Sequence, residues 1–384
     1  MISLAGRDIL HAWGKFVFTG IGLGLLIGVT LTMAGVYRGM VEDGKVLLDN
    51  SGADLWVVQQ ETLGPYAEPS SLPDDIWRSI WVMPGVAEVA NVTYLTMQIT
   101  QGTTDVRTLV VGITAGGAGT LGWPPYLVAG RQITRGHYEA VADIASGFKL
   151  GDTLKIRRNA YQVVGLTRRM VSASGDPMIF IPLKDAQEAQ FLKDNAAILM
   201  QRRRAEANLS SSLSSTSVNA VLVRIKPEFL PQDVAEPIRR WQRFTVYDRK
   251  QMENILVDKL IATSAKQISL FLVILAVVCA AIVAFIIYTL TMDKIREIAV
   301  LKLIGARSSA IVWMILQQAI VLGIIGFVVG KIAATFAAPI FPKYVLLLPT
   351  DSLLGFFAVQ AICVLASIVA IRMALKVDPA EVIG

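Results

Sequence analysis

Charge is scarce in this chain. Only 17% of its 384 residues are Asp, Glu, Lys or Arg, against about 25% in an ordinary soluble domain. Cysteine and histidine are scarcer still, at two each. So few thiols exclude a disulfide-stapled scaffold, and no spaced Cys/His set suggests a zinc site. The 30 glycines follow no three-residue period, which excludes a collagen-like repeat. No HExxH or GxSxG run is present, so the common hydrolytic signatures are missing.

One stretch imitates a phosphate loop. Gly39-Met40-Val41-Glu42-Asp43-Gly44-Lys45-Val46 has the glycines and lysine of GxxxxGK. Val46 stands where Ser or Thr should hold magnesium, and Glu42 and Asp43 would face the phosphates. No strand precedes it. The match is read as coincidence, so this chain is expected neither to bind ATP by a P-loop nor to be an enzyme.

What is abundant is apolar sequence, at 54%, and it falls in blocks. Phe16–Tyr37, Ile268–Met292, Ala310–Gly330 and Ser352–Ile371 carry no charged residue. About 20 apolar residues at 1.5 Å each cross the ~30 Å hydrocarbon layer. Four transmembrane α-helices are therefore predicted over 16–37, 268–292, 310–336 and 352–371. Ala34 and Gly35 imitate a signal-peptide cleavage site, but the first block exceeds a 7–15-residue signal core.

Short loops rich in Lys and Arg stay in the cytoplasm. Residues 293–309 hold Lys294, Arg296, Lys302 and Arg307, the tail 372–384 holds Arg372 and Lys376, and the amphipathic lead 1–15 holds Arg7 and Lys15. These are placed inside, with both termini. The short loop 337–351 and the 229 residues 38–266 are placed outside. The long segment holds 26 Lys/Arg and 24 Asp/Glu, so it is nearly neutral despite the chain's net +6.

That segment reads as a large mixed α/β extracytoplasmic domain between helices 1 and 2. Strands are predicted over 54–59, 89–100, 107–113, 160–167, 178–182, 220–226 and 244–247, rich in Val, Ile, Thr and Tyr. Helices are predicted over 73–81, 183–204 and 231–243. Ser210–Ser217 reads as a polar loop. From Asp248 the pattern is helical into the second span, which suggests a stalk. His137 reads as a surface loop residue, and Arg202-Arg203-Arg204 as a solvated face. Nucleic acid is not expected as a partner. Asn91-Val92-Thr93 and Asn208-Leu209-Ser210 fit the glycosylation pattern, which is common by chance.

Within the spans, Gly20, Gly24 and Gly28 repeat every fourth residue, with Thr32 continuing the stripe. Gly326 and Gly330 form a second such pair. Small residues at this spacing let helix backbones approach. The stripe suits a dimer interface or packing within the chain. Gln317, Gln318 and Gln360 are candidates for hydrogen bonds between helices. Lys331 either snorkels to the outer interface or meets an anionic headgroup.

The loop between spans two and three is the strongest feature. Arg296-Glu297-Ile298-Ala299-Val300-Leu301-Lys302-Leu303-Ile304 is a good helix former, and Gly305 suits a C-cap. It is amphipathic. Such a helix lies on anionic lipid or docks into a partner's groove.

That run with Gly305-Ala306 resembles the signature of FtsX-type permeases. The tail Lys376-Val377-Asp378-Pro379-Ala380-Glu381 resembles the D-P-x-E ending of the same family. Gly130-Arg131, Leu150-Gly151-Asp152-Thr153-Leu154 and Val163-Val164-Gly165 are similar to the outer domain of MacB-like permeases. Asp176–Leu183 is similar to DevC-like members. The resemblance implies a type VII ABC transporter permease of the split-subunit branch in a bacterial inner membrane. It implies a homodimer that docks a separate cytoplasmic ATPase, with ATP and magnesium on that partner and no cofactor or metal here. A periplasmic adaptor and an outer-membrane channel are further implied partners. ATPase coupling falls to Lys294, Arg296, Glu297, Leu301, Lys302, Gly305 and Ala306. The implied activity is export or extraction of substrate from the outer leaflet or periplasm. A non-transporting FtsX-like signal transmitter and a membrane-anchored enzyme are the alternatives.

Overall fold

Four helices in the computed structural model are long and apolar enough to cross a bilayer: Val17–Ser51, Ser264–Asp293, Ser308–Ala337 and Pro349–Leu375. The structure describes residues 13–101, 104–114, 121–191, 217–241, 243–304, 307–341 and 343–376. The chain divides into two compact units, one from residues 1–39 and 264–384, the other from 40–263.

The first unit is the membrane unit. It contains most of α1 (Trp13–Ser51) and, later in the chain, a run of four helices. Its core joins Leu23, Ile27 and Leu31 of α1 to Val283 and Ile287 of the second span. Ile315, Ala319 and Leu322 of the third and Cys363, Ala366 and Ala370 of the fourth complete it. Lipid tails are as apolar as these side chains, so close packing holds the spans together and burial from water does not.

The structure shows no break in α1 after Tyr37, where the apolar block ends. The candidate span is 35 residues, about 52 Å at helical rise and well beyond the ~30 Å hydrocarbon layer. Its last part carries Glu42, Asp43, Lys45 and Asp49 and belongs to the second unit. The Gly39–Val46 match therefore lies inside a helix and not in a loop.

The second unit is built on a ten-stranded mixed sheet. Its strands are β1 (Leu55–Gln59), β3 (Val86–Gln101), β4 (Thr104–Ile113), β5 (Ala129–Gly130), β6 (Glu139–Asp143), β7 (Thr153–Ile156), β8 (Asn159–Thr167), β9 (Met178–Pro182), β11 (Ala220–Ile225) and β12 (Phe244–Asp248). The order is β12-β1-β11-β3-β4-β9-β6-β8-β5, with β7 on β8. A short pair joins β2 (Leu72–Pro73) to β10 (Ser217–Val218). Only β4/β9 and β6/β8 run parallel among the described pairs.

β3 links the two halves of the sheet. Its first residues, from Val86 to Val92, pair with β11, and Thr93 to Gln101 pair with β4. Side chains alternate across a strand, and both faces are covered. Ile179 and Ile181 of β9 enter one cluster with Val110, Ala140 and Ala142, while Met178 and Phe180 enter the opposite one with Val111 and Val141. Each buried Ile or Phe contributes about 1.5–3 kcal/mol. Helices α2 (Ile76–Trp81), α3 (Leu183–Phe191) and α4 (Pro231–Arg239) supply part of that cover, with Ile80, Ala186 and Ile238 buried. Gly112 lets α3 settle on β4, because a Cβ there would stand 2.3 Å from that of Ala186.

β6 escaped sequence reading because charged Glu139 and Asp143 end it, yet all five of its residues are buried. The predicted 183–204 helix is described only to Phe191. Residues 210–216 and Arg202–Arg204 lie outside the described residues, while Ser217 opens β10. The predicted helices at 73–81 and 231–243 are shorter, Ile76–Trp81 and Pro231–Arg239.

Candidate functional site

The described residues place a short helix between the second and third spans. α5 (Arg249–Ile255) leads through a π-helical turn, Leu256–Ile261, into α6 (Ala262–Asp293). α7 (Ile295–Leu303) follows, then α8 (Ser308–Ala337) and α9 (Pro349–Lys376). Lys294 breaks the path between α6 and α7 with φ −108° and ψ 13°. Its carbonyl nonetheless accepts from Ile298 N at 3.0 Å, which starts the new helix. Glu297 in the first turn and Lys302 in the last complement the helix dipole.

α7 has two sides. Ile298 and Ala299 are buried, and Ile298 joins the membrane core. Arg296 and Glu297 are exposed, as are Val300, Leu303 and Ile304, the last at 79%. An apolar anchor thus fixes the helix to the spans, and charge beside bare aliphatic surface faces outward.

The sequence-predicted coupling residues divide accordingly. Arg296 and Glu297 are exposed. Lys294 and Lys302 are half-buried. Lys302 Nζ donates to the main-chain oxygen of Leu375 at 3.0 Å, so it is engaged within the chain. Leu301 lies in α7. Gly305 and Ala306 lie outside the described residues, as does the 378–381 tail motif.

The glycine stripe is used inside the chain. A Cβ at Gly20 would meet Ile325 at 2.6 Å; one at Gly24 would meet Val329 at 2.6 Å; one at Gly28 would meet the Gly330 oxygen at 3.1 Å. The second pair answers the first, with Gly330 against the Gly24 oxygen. Span three occupies this face, so Gly20, Gly24 and Gly28 pack within the chain, one of the two uses their spacing suited. The stripe also runs further than sequence reading took it. Gly35 O accepts from Leu346 N at 3.0 Å, and a side chain at Gly39 would collide with the Tyr344 main chain. Arg38 seals that end with two 3.0 Å contacts to Asp351. Thr32 bonds back to Gly28 O within its own helix. Gln360, a candidate for interhelical bonding, has neither amide atom hydrogen-bonded among the described residues.

In the second unit, the end of α1 and α5 form a stalk. Lys45 pairs with Glu253 at 3.3 Å, and Asp49 with Arg249. Asp248 and Gln251 make a reciprocal capping box at 2.8 and 3.1 Å that starts α5. His137 is a half-exposed loop residue, and its Nδ1 lies 2.5 Å from Oδ1 of buried Asp185. Asn91 is buried and donates to Asp74 O, so its glycosylation pattern is not offered to solvent. Asn208 lies outside the described residues.

The best-held carboxylate is Glu139. Arg131 grips it with Nη2 at 2.5 Å and Nη1 at 3.1 Å, and the Thr134 and Arg135 amides donate at 2.9 and 3.0 Å. The Arg131 hydrogen bond leads in pulling its pKa down to about 2, against the opposing effect of burial. No cluster of three or more His, Cys, Asp and Glu that would suit a metal occurs among the described residues.

Residues 17–241 match the family described as MacB-like periplasmic core domain, and 269–379 match the FtsX-like permease C-terminal family. The chain is 26% identical over 385 residues to an uncharacterized ABC transporter permease of Mycobacterium tuberculosis, covering all of this chain and 99% of the relative. It is 22% identical over 396 residues, with the same coverage, to a protein of Staphylococcus haemolyticus named as hemin transport system permease protein HrtB. Among solved structures, the periplasmic region of MacB from Actinobacillus actinomycetemcomitans aligns at TM-score 0.37 and 12% identity, over 53% of this chain and 93% of that one. The extracellular domain of YknZ from Gram-positive bacteria aligns at TM-score 0.33 and 14% identity, over 50% and 99%.

Proposed function

The chain belongs to the MacB/FtsX-type ABC transporter permeases, and from that premise we propose that it is the membrane subunit of an ATP-driven exporter or extractor. ATP and magnesium would be held by a separate cytoplasmic ATPase. One observation carries the reading: α7 is anchored through Ile298 and Ala299 while Arg296, Glu297, Val300, Leu303 and Ile304 face outward. A rigid helix with an apolar and charged outer face suits a partner's groove.

ATP-driven closure of two ATPase copies would push α7 through the spans to the stalk and the extracytoplasmic unit. Substrate would leave from the outer leaflet or periplasm. Both termini are cytoplasmic in this scheme, the membrane is the bacterial inner membrane, and two copies of the chain work together. Span two is the least buried of the four, with 17% of its apolar window covered. It is the surface we assign to the second copy, since span three covers the glycine stripe. A periplasmic adaptor and an outer-membrane channel fit the extracytoplasmic unit as further partners.

Co-expression with candidate ABC ATPases from the same organism tests the assignment. A stable complex is expected on purification of the full chain, with ATP hydrolysis that depends on α7. Failure of the chain to retain any such ATPase overturns it.

A further inference from the structure

Lys331 sits in the wall of a groove of about 430 Å³ between spans three and four. The other walls are mostly hydrocarbon: Phe327, Leu347, Pro349, Leu353 and Phe356. Phe327 and Phe356 meet edge to face at 5.2 Å and 77°, so one rigid aromatic corner backs the groove. Cavities that hold small molecules run about 300–1,000 Å³.

An ammonium carries three donors. Lys331 Nζ spends one on Ser352 Oγ at 2.5 Å. The Ser352 hydroxyl in turn donates to Leu348 O at 3.1 Å, which turns a lone pair toward the lysine. Lys331 makes no ion pair among the described residues. Asp351, the carboxylate next in sequence, is neutralised by its two contacts with Arg38. The groove therefore keeps a net positive charge and unused donors against an apolar floor.

Lys331 lies six residues before the end of α8, about 9 Å inside the helix terminus at helical rise. Counting crossings from the extracytoplasmic unit, this is the outer end of span three. A snorkelling lysine reaches along its own helix to water. Here the side chain is instead held sideways onto the next span. Ionisable groups inside spans carry a desolvation cost that such a site must offset.

We propose that this groove holds an anionic phospholipid of the outer leaflet, its phosphate on Lys331 and an acyl chain against Phe327, Leu353 and Phe356. The site depends on the bilayer placement of spans three and four and not on recruitment of an ATPase.

The test uses the purified full chain in nanodiscs of equimolar phosphatidylglycerol and phosphatidylcholine, with bound lipid counted by native mass spectrometry. Wild type should retain about fivefold more phosphatidylglycerol: both lipids carry the phosphate, but choline cancels its charge, so only the phosphatidylglycerol headgroup keeps a net negative charge beside the lysine. Lys331→Gln should bring the ratio near parity, and Lys331→Arg should keep it. Parity in the wild type overturns the proposal without reference to any variant. So does an unchanged excess in Lys331→Gln. ATPase retention is measured in parallel on the same variants co-expressed with a candidate ATPase. Lost lipid preference with the ATPase still bound in Lys331→Gln supports the lipid site. A missing ATPase with lipid preference intact counts against the permease assignment alone.

Discussion

The ammonium of Lys302 donates to the main-chain oxygen of Leu375, 3.0 Å away and 73 residues later in the chain. The acceptor is in the last turn of α9, where helix carbonyls lack partners in their own helix. A cation there also meets the negative end of the dipole. The bond ties the helix after span two to the end of span four, a span to which α7 is not directly joined.

Lys302→Ala should loosen that tie. A hydrogen bond from a charged donor is worth about 1.5–3 kcal/mol when shielded, and this half-exposed one should contribute about 1 kcal/mol once solvent competes. The detergent-solubilised chain should melt a few degrees lower, and Lys302→Arg should melt near wild type. Equal melting of the alanine variant and wild type refutes the tie.

Arg296→Ala combined with Glu297→Ala should leave the fold intact, because both side chains are exposed. The double variant should lose ATPase binding by tenfold or more, on the order of the 1.4 kcal/mol that a modest interface residue carries. Pull-down from membranes with the partner ATPase reads this directly. Full assembly and transport by the double variant sinks the docking role of α7.

Gly24→Ala should destabilise the membrane unit, since its new Cβ would lie 2.6 Å from Val329 and 3.0 Å from the Gly326 oxygen. Overpacking of this kind costs about 1–3 kcal/mol. Gly22→Ala is the internal control, with no neighbour within 4 Å of its Cβ, and should be neutral or slightly stabilising. Thermal unfolding of the two variants side by side separates them. If both behave alike, the close approach of spans one and three is wrong.

Acid should reveal Glu139. Its folded pKa is depressed from 4.5 to about 2, chiefly by Arg131. Its stabilisation is therefore full above about pH 4.5 and is lost as pH falls toward about 2. Glu139→Ala also strips acceptors from the Thr134 and Arg135 amides, and should cost about 2 kcal/mol at neutral pH. The variant's stability should then fall less steeply than wild type between pH 4.5 and 2. An identical acid slope in both proteins contradicts the assignment.

Much of the membrane architecture was legible in the chain itself. Four uncharged blocks needed only a length argument, because a bilayer demands about 20 apolar residues from every crossing helix. Enrichment in Val, Ile, Thr and Tyr exposed most of the long strands, such as β4 and β8. β6 was hidden because Glu139 and Asp143 violate the rule that charge stays outside; Arg131 and nearby main-chain amides hold Glu139, and the Ala145 and Met170 amides hold Asp143, pairings that hydropathy does not register. The Arg296–Ile304 run was legible as a helix, but its division into an anchored side and a bare side was not.

The glycine spacing shows the difference most plainly. Sequence alone determined that one face of the first span is small and continuous from Gly20 to Gly28, and that a neighbour's backbone belongs there. It did not determine whose backbone. Tertiary structure decided that span three of the same chain fills it and that residues 344–347 extend the contact to Gly35 and Gly39. It likewise decided that Lys331 turns sideways onto Ser352 and that Lys302 is spent on Leu375. The physical reason is common to all three. Periodicity and hydropathy are properties of one segment against its solvent, whereas the partner of a small face or a cation is set by which segments the closed bundle brings within about 3 Å.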